Sequence, residues 1–265
     1  MNWKTESLQF TAVESPQSIA DLRTQYLDSL PEAQEYYLEL LMQNSRIFLI
    51  STGTHPFGYF ILGDHANLLE YFLIPDYQTQ ADTFLEQIIQ KYALKSALCK
   101  TFDHLLLSCC VQFQKQVSVG GFLFREYHPV PNPPIFPDIT HRLATMQDFP
   151  KLSAVNVEIF EENEEIREFI EKQRIFLFEK DQELVGFGIF TRIIADRPEH
   201  DIGMLVDKPF QRQGYGQYII RFLTDFCIDN GWQPVCGCAY ENTVSRRTLE
   251  KDGYISKHRL LEFVF

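Results

Sequence analysis

Residues Gln211-Arg212-Gln213-Gly214-Tyr215-Gly216 constrain this chain more than any other stretch. They stand between an apolar run, Ile202 to Val206, and an amphipathic run, Tyr218 to Ile228. The pattern predicts a strand, a glycine-bearing turn and a helix. The first turn of a helix leaves backbone N–H groups without intrahelical partners, and the helix dipole favours negative charge there. Glycines 214 and 216 carry no Cβ, so an anion can approach the main chain. Arg212 can add a charge-assisted contact.

The spacing separates known phosphate loops. No Gly-Lys-Ser/Thr ending follows, which excludes a P-loop. The third glycine of a dinucleotide fingerprint is absent, because that position is Ile219. What remains resembles the Q/R-x-x-G-x-G/A motif of the GNAT superfamily of N-acetyltransferases, which holds the pyrophosphate of coenzyme A. Carried over residue by residue, the resemblance implies coenzyme contacts from Gln211, Arg212, Gln213, Gly214, Tyr215, Gly216 and Gln217. A second stretch supports it. Asn230-Gly231 is a helix stop, a short apolar run from Pro234 to Ala239 follows, and Asn242, Ser245 and Gly253-Tyr254 come next. These positions resemble the GNAT signature N-x-x-S/A-x-x-x-x-x-x-x-G-F/Y, in which the Asn and the small residue lie along the pantetheine arm. The implied fold class is α/β (an α+β mixed sheet), and the implied co-substrate is acetyl-CoA.

Composition narrows the partners. The chain has 265 residues, a formal net charge of −12 and 45% apolar residues. Acidic balance argues against nucleic acid, where binding is driven by phosphate neutralisation; cationic amines or basic tails would be attracted. No run of 18 apolar residues occurs, so no membrane span is expected. The start lacks a basic n-region and an apolar h-region, and a cytoplasmic location is expected. Cys99, Cys109, Cys110, Cys227, Cys236 and Cys238 show no C-x-x-C and no zinc spacing. They read as buried reduced thiols, and no metal is expected.

Residues 129–137, with five prolines in nine positions, read as a stiff linker. The halves on either side look alike. Tyr77-Gln78 matches Phe210-Gln211 and Gly121-Phe122 matches Gly253-Tyr254, with a spacing of 132 to 133 residues. Two GNAT-like acyl-CoA N-acyltransferase folds in tandem are expected: a degenerate copy in 1–128 and an acetyltransferase domain in 138–265, closing on a strand near Arg259 to Phe265. In the first copy Ala81 and Thr83 replace the two glycines, Thr79 replaces Arg212, and Cys110 is the rough counterpart of Asn242. That copy is expected to bind no coenzyme and to serve structurally; an unrelated α+β domain is the competing reading.

Transfer of an acyl group from a thioester to an amine needs a neutral amine, donors for the oxyanion and a proton for the leaving thiolate. The resemblance places main-chain groups of Met204, Leu205 and Val206 along the pantetheine arm. Some relatives carry a glutamate fourteen residues before the first motif glycine; here that position is His200, a residue that titrates near ~6.5 and the first choice for base. A solvated strand end is the bland alternative. Glu241 is the second choice. The tyrosine that many relatives place four residues before the helix-ending glycine is Leu249 here, so no acid is assigned; Tyr240 or Tyr215 could substitute. The seven glutamates from Glu158 to Glu171 form a solvated face or, as the resemblance implies, an acidic wall for a cationic acceptor, with Glu158, Glu161 and Glu162 the candidates. Arg246 and Arg247 either reach coenzyme phosphate or offset Glu250 and Asp252. The expected activity is acetyl transfer to a small primary amine by direct attack in a ternary complex. The rivals are a non-catalytic acyl-CoA-binding sensor, a protein or peptide N-acetyltransferase, and a ping-pong scheme through Cys236 or Cys238.

Overall fold

The structure is a computed structural model that describes residues 8–156, 159–160 and 162–265. The chain forms two compact units, one from residues up to 122 joined by 258–265, the other from 123–257. Among the described residues no helix is long and apolar enough to cross a membrane.

The first unit runs β1 (Leu8–Val13), α1 (Ala20–Ser29), α2 (Tyr36–Met42), β2 (Arg46–Thr52), β3 (His55–Leu62), β4 (Asn67–Leu73), α3 (Ala81–Tyr92), β5 (Ser96–Lys100), α4 (His104–Phe113) and β6 (Gln116–Phe124), whose last two residues pass into the second unit. Strands β1 to β4 pair in order, all antiparallel. Phe57 to Leu62 and Leu68 to Leu73 are buried throughout, as strands covered on both faces must be. Strands β4 and β5 are parallel and pair only at Asn67↔Ser96 and Leu68↔Ala97, after which they part.

The second unit runs β7 (Glu126–Tyr127), β8 (Thr140–Leu143), α5 (Phe149–Val155), α6 (Asn163–Glu171), β9 (Ile175–Lys180), β10 (Glu183–Arg192), β11 (Glu199–Val206), α7 (Tyr215–Asp229), β12 (Gln233–Ala239), α8 (Thr243–Asp252) and β13 (Tyr254–Ile255). Its sheet has the order β12-β11-β10-β9-β8, and β13 pairs with β7 beside it. Asp181 and Gln182 adopt φ of 50° and 70° in the tight turn from β9 to β10, the left-handed pair that a two-residue hairpin requires. Helix α7 buries Tyr215, Ile219, Ile220, Leu223 and Cys227, a helical stripe. Its Phe226 lies 5.1 Å from Phe190 of β10, so the even-numbered side chains of β10 face α7. Phe187, of opposite parity, stacks 6.1 Å from Phe160, and Phe160 meets Phe169 of α6. The two faces of the sheet are thus assigned by contact.

Three expectations change. The closing strand β14 (His258–Val264), expected to end the domain 138–265, belongs to the first unit. It pairs antiparallel with β5 from Leu260↔Lys100 to Val264↔Ser96, and Phe263 enters the core around Ile50, Leu85 and Cys99. Gly121 is not the counterpart of Gly253: it lies inside β6, whereas α4 ends at Gln114. The proline segment is irregular as expected, but it is not a free spacer. Phe136 packs 4.3 Å from Tyr215 and 5.6 Å from Tyr218, covering the start of α7.

Gly253 ends α8 in the left-handed region at φ 107°, and its N–H bonds the carbonyl of Glu250. A Cβ there would stand 1.9 Å from the His128 carbonyl oxygen. Gly253→Ala is therefore expected to lose at least about 2 kcal/mol of stability. Urea unfolding of the full chain checks this, and an unchanged midpoint would contradict the close approach.

Candidate active site

The glycine loop forms as the sequence implies. Arg212 and Gly214 both have left-handed backbone, φ 62° and 97°, and Gly214 caps α7 without any side-chain cap. Tyr218 N–H is the first to bond within the helix, to Gly214 O at 3.1 Å. The N–H groups of Tyr215, Gly216 and Gln217 precede it and point out of the helix end, as first-turn donors do. A curved main chain with successive N–H groups is an anion-binding concavity. The amides around it are held in place: Gln211 Nε2 donates to Val206 O at 3.1 Å, Gln213 Nε2 to Pro209 O at 3.0 Å, and Gln217 Nε2 to Lys251 O at 3.1 Å. Arg212 is exposed beside the loop, and Tyr215 is buried against Phe136.

The loop stands at the C-terminal end of β11. Strands β11 and β12 run parallel and pair at only three positions, Glu199↔Gln233, His200↔Pro234 and Asp201↔Val235. Beyond these they part. On its other edge β11 stays paired with β10 to Gly186↔Val206. Ile193 N–H bonds Glu199 O, and Asp207 N–H bonds Val185 O. Alternation along an antiparallel ladder then directs the main-chain groups of odd-numbered residues to β10 and those of Ile202, Met204 and Val206 to the open edge. Leu205, expected to lie along the pantetheine arm through its backbone, instead exchanges its main-chain bonds with Phe187. Met204 and Val206 turn their main-chain groups to the open edge, where Val206 O already accepts from Gln211.

Asn242 caps α8, its Oδ1 accepting from Ser245 N–H at 3.0 Å. The two residues of the second motif thus join each other through the Asn242 carbonyl oxygen. Arg246 Nε meets Glu250 at 2.7 Å on the helix surface. Leu249, at the position where a tyrosine acid was sought, is buried. Tyr254 is buried as well, its hydroxyl 2.8 Å from Thr224 Oγ1. Tyr240 and Glu241 are exposed at the end of β12.

His200 is 4% exposed and stacks on Trp232, ring centroids 4.1 Å apart and planes within 9°. Trp232 meets Phe226, so the imidazole lies on the α7 face. Its Nδ1 is 2.9 Å from Pro198 O. The carbonyl can only accept, so Nδ1 carries the proton and Nε2 the lone pair. Burial pushes its pKa below the ordinary value near 6.5, which keeps the ring neutral. The opposite face holds Asp201, the next residue along β11. Asp201 pairs with Thr191, whose parity is that of Phe187, so both project to the side of α6. Thr191 is 1% exposed, and its hydroxyl has no hydrogen-bond partner among the described residues. Strand alternation separated Asp201 from His200, but only the packing shows which face each takes. On that side, Glu162 caps α6 in a reciprocal box with Glu165 and is spent on the helix end; Glu158 and Glu161 lie outside the described residues.

Comparison with known proteins decides the family. A model described as acetyltransferase (GNAT) domain matches residues 15–127, and one described as acetyltransferase (GNAT) family matches residues 141–254. The chain belongs to the GNAT superfamily, with two such domains in tandem. A GNAT-family acetyltransferase from Colwellia psychrerythraea superposes with a TM-score of 0.86 at 19% identity, covering 97% of this chain and 99% of that one. A tandem GNAT protein from the clavulanic acid biosynthesis pathway gives 0.61 at 9% identity, covering 98% of each. A GCN5-related N-acetyltransferase from Sphaerobacter thermophilus gives 0.64 at 13%, covering 96% and 94%. No match is found among curated proteins. At these identities the superpositions establish the GNAT fold, and the splayed parallel pair and glycine loop are this chain's version of it.

The N-terminal GNAT copy repeats the architecture without the loop. When the starts of α3 and α7 are aligned, Gln80 stands where Gly214 does and Asp82 where Gly216 does. This shifts the expected counterparts, Ala81 and Thr83, by one residue. The cap of α4 is Asp103, which therefore replaces Cys110 as the counterpart of Asn242. A carboxylate in the first turn of α3 opposes a phosphate at that end.

Two measurements follow. Gly214→Glu forces a side chain into left-handed backbone and sets a charge against the first-turn donors; affinity for coenzyme A is expected to fall at least about tenfold by calorimetry. Equal affinity would remove the loop from the site. His200, with its lowered pKa, gives folding a stability that rises with pH up to about 6.5, because the unfolded chain binds the proton more readily; it is lost as pH falls below that value. His200→Phe keeps a ring on Trp232, so its melting temperature is expected to drop less than that of the wild type between about pH 7.5 and 5.5. Asp252, buried with a pKa raised to about 6, contributes the opposite slope equally to both proteins. Parallel melting curves would mean that His200 is not held neutral.

Proposed function

We propose that residues 123–257 carry an N-acetyltransferase that moves the acetyl group of acetyl-CoA to a small primary amine by direct attack in a ternary complex. One observation carries this reading: β11 and β12 part beyond Asp201 and Val235, and the wide end of the gap meets the donor-rich start of α7. The loop residues fit a diphosphate, since Gly214 supplies left-handed backbone and the amides of residues 215–217 supply donors. Arg212 adds charge. Main-chain groups of Met204 and Val206 on the open edge would align the pantetheine arm, and an N–H there would stabilise the oxyanion. Asn242 would bond the arm through its amide nitrogen, with Ser245 packed beside it.

The reaction needs no protein nucleophile. The amine lone pair attacks the thioester carbonyl, the new ammonium nitrogen gives its proton to solvent, the C–S bond breaks as the oxyanion collapses, and the thiolate takes a proton from solvent. The amine must first lose its own proton. For that role Asp201 is favoured over His200: it projects to the face bearing α6, whereas the imidazole packs under α7. Glu241, exposed at the end of β12, is the further alternative. The acidic balance of the chain favours a cationic acceptor. Buried Leu249 supports one rival, a sensor that binds acyl-CoA without turnover.

Thiol release from acetyl-CoA, measured with a panel of small primary amines and with peptides bearing free amino termini, separates these readings. Turnover with a small amine is expected. Asp201→Asn should then lower kcat by about a hundredfold and His200→Gln by less than about tenfold, the range for loss of a general base against loss of a packed ring. Coenzyme binding without thiol release from any acceptor would favour the sensor. Turnover with peptides alone would make the chain a protein acetyltransferase.

A further inference from the structure

The first unit contains a cavity that the acetyl-transfer reading does not use. It opens where β4 and β5 part, has a volume of about 200 Å³, and is walled by Tyr26, Tyr71, Phe72, Gln78, Phe102 and Asp103. That is room for about six water molecules, enough for a short alkyl chain with one polar head and too little for a nucleotide.

Two of its walls, Tyr26 and Asp103, belong to a buried charged set. Arg23 bonds Glu39 at 2.6 Å and Glu70 at 3.1 Å. Glu70 also accepts from Tyr59 at 2.8 Å and from Gln34 at 2.9 Å. Gln34 accepts from Lys100 Nζ at 2.6 Å, Lys100 donates again to Tyr26 at 2.7 Å, and Tyr26 donates to Asp103 at 2.7 Å. Glu70, Lys100 and Asp103 are 0%, 1% and 3% exposed. This connected set holds two cations, Arg23 and Lys100, against three carboxylates, Glu39, Glu70 and Asp103. A buried charge left without a partner is costly, and burial pushes the Asp103 carboxyl above its usual range. Asp103 is the charged member that lines the cavity. Its Oδ1 takes Leu106 N–H and its Oδ2 takes the Tyr26 hydroxyl, while each oxygen can accept two bonds. Gln78 donates its Nε2 to Leu73 O, which leaves its carbonyl oxygen as a further acceptor. Lys100 Nζ lies 5.0 Å from the centre of the Tyr26 ring and 5.9 Å from that of Phe102, so these rings already receive a cation.

We propose that this cavity binds a small primary alkylammonium ion, with the ammonium group on Asp103 and the alkyl chain against Tyr71, Phe72 and Phe102. The bound cation completes the charge balance of the buried set. The N-terminal copy thus exchanges an anion cradle for a cation pocket: the first-turn position that admits phosphate in the second copy holds Asp82, and the capping amide of Asn242 is replaced by the carboxylate of Asp103.

The test uses the full chain without coenzyme, at about pH 8. Calorimetry with n-propylammonium chloride is compared with 1-propanol and sodium propionate. A crystal soaked in 3-bromopropylammonium locates the bromine by anomalous scattering. Asp103→Asn removes the charge and keeps a good helix cap. Ser29→Trp, at an exposed rim position, blocks the mouth; it gives up the Ser29 hydroxyl bond to the Tyr26 carbonyl and keeps every charged side chain. The expected result is saturable binding of the ammonium probe alone, at least about tenfold weaker in either variant, with bromine between β4 and β5. Should Asp103→Asn not fold, Ser29→Trp carries the same comparison. The proposal is overturned by equal affinity in a folded variant, by equal binding of the alcohol, or by the absence of saturable heat. Equal affinity in both variants with bromine in the second unit would assign the amine to the acceptor site there, which leaves the acetyl-transfer reading standing while this one fails.

Discussion

An unfinished parallel ladder organises each half of this molecule. Strands β11 and β12 form three pairs and then separate, and β4 and β5 form two. Inside a sheet, a strand edge without a neighbour leaves donors and acceptors that must find other partners. In the second unit the consequence is chemical. The open edge of β11 presents Met204 and Val206 main-chain groups, and the same strand leads directly into a turn that ends at unpaired first-turn N–H groups. One continuous segment, residues 202–217, thus aligns an extended main-chain edge with an anion cradle. The remaining elements keep the two in register: β10 holds the far edge of β11, α7 packs its Phe226 on Phe190, and the Pro134-to-Phe136 stretch covers the loop.

The cradle and the second motif were legible in the sequence because their signals are local. Gly214 is needed for a φ of 97°, and Asn242 is needed as a cap three residues before Ser245. Other features depend on distant partners. Nothing in the run Arg259 to Phe265 distinguishes a strand that finishes its own domain from one that pairs with β5, since the alternation of buried Leu260 and half-buried neighbours suits either sheet. The face of His200 was equally hidden. Alternation shows that His200 and Asp201 diverge, but which side holds α7 is decided by Trp232, Phe190 and Phe226 together. The repeat was legible in outline and misaligned by one residue at the loop, because the short 3-10 turns before α3 and α7 differ in length.

The anion site and the cation site proposed for the two copies differ by few side chains on one scaffold. Both place a helix start and a helix cap around a gap between parallel strands. In the second copy those positions are Gly214, Gly216 and Asn242, neutral residues that leave the positive end of α7 open to an anion. In the first they are Gln80, Asp82 and Asp103. A carboxylate in the first turn satisfies the helix dipole from within, and a capping carboxylate directs negative charge into the gap. Burial then sharpens the difference: Asp103 sits on a hydrogen-bonded set with one carboxylate more than it has cations, whereas the loop of the second copy stays at the surface with Arg212 exposed. Fold is therefore common to the copies while the sign of the field in the gap is not, and that sign, set by three side chains, decides what each gap can hold.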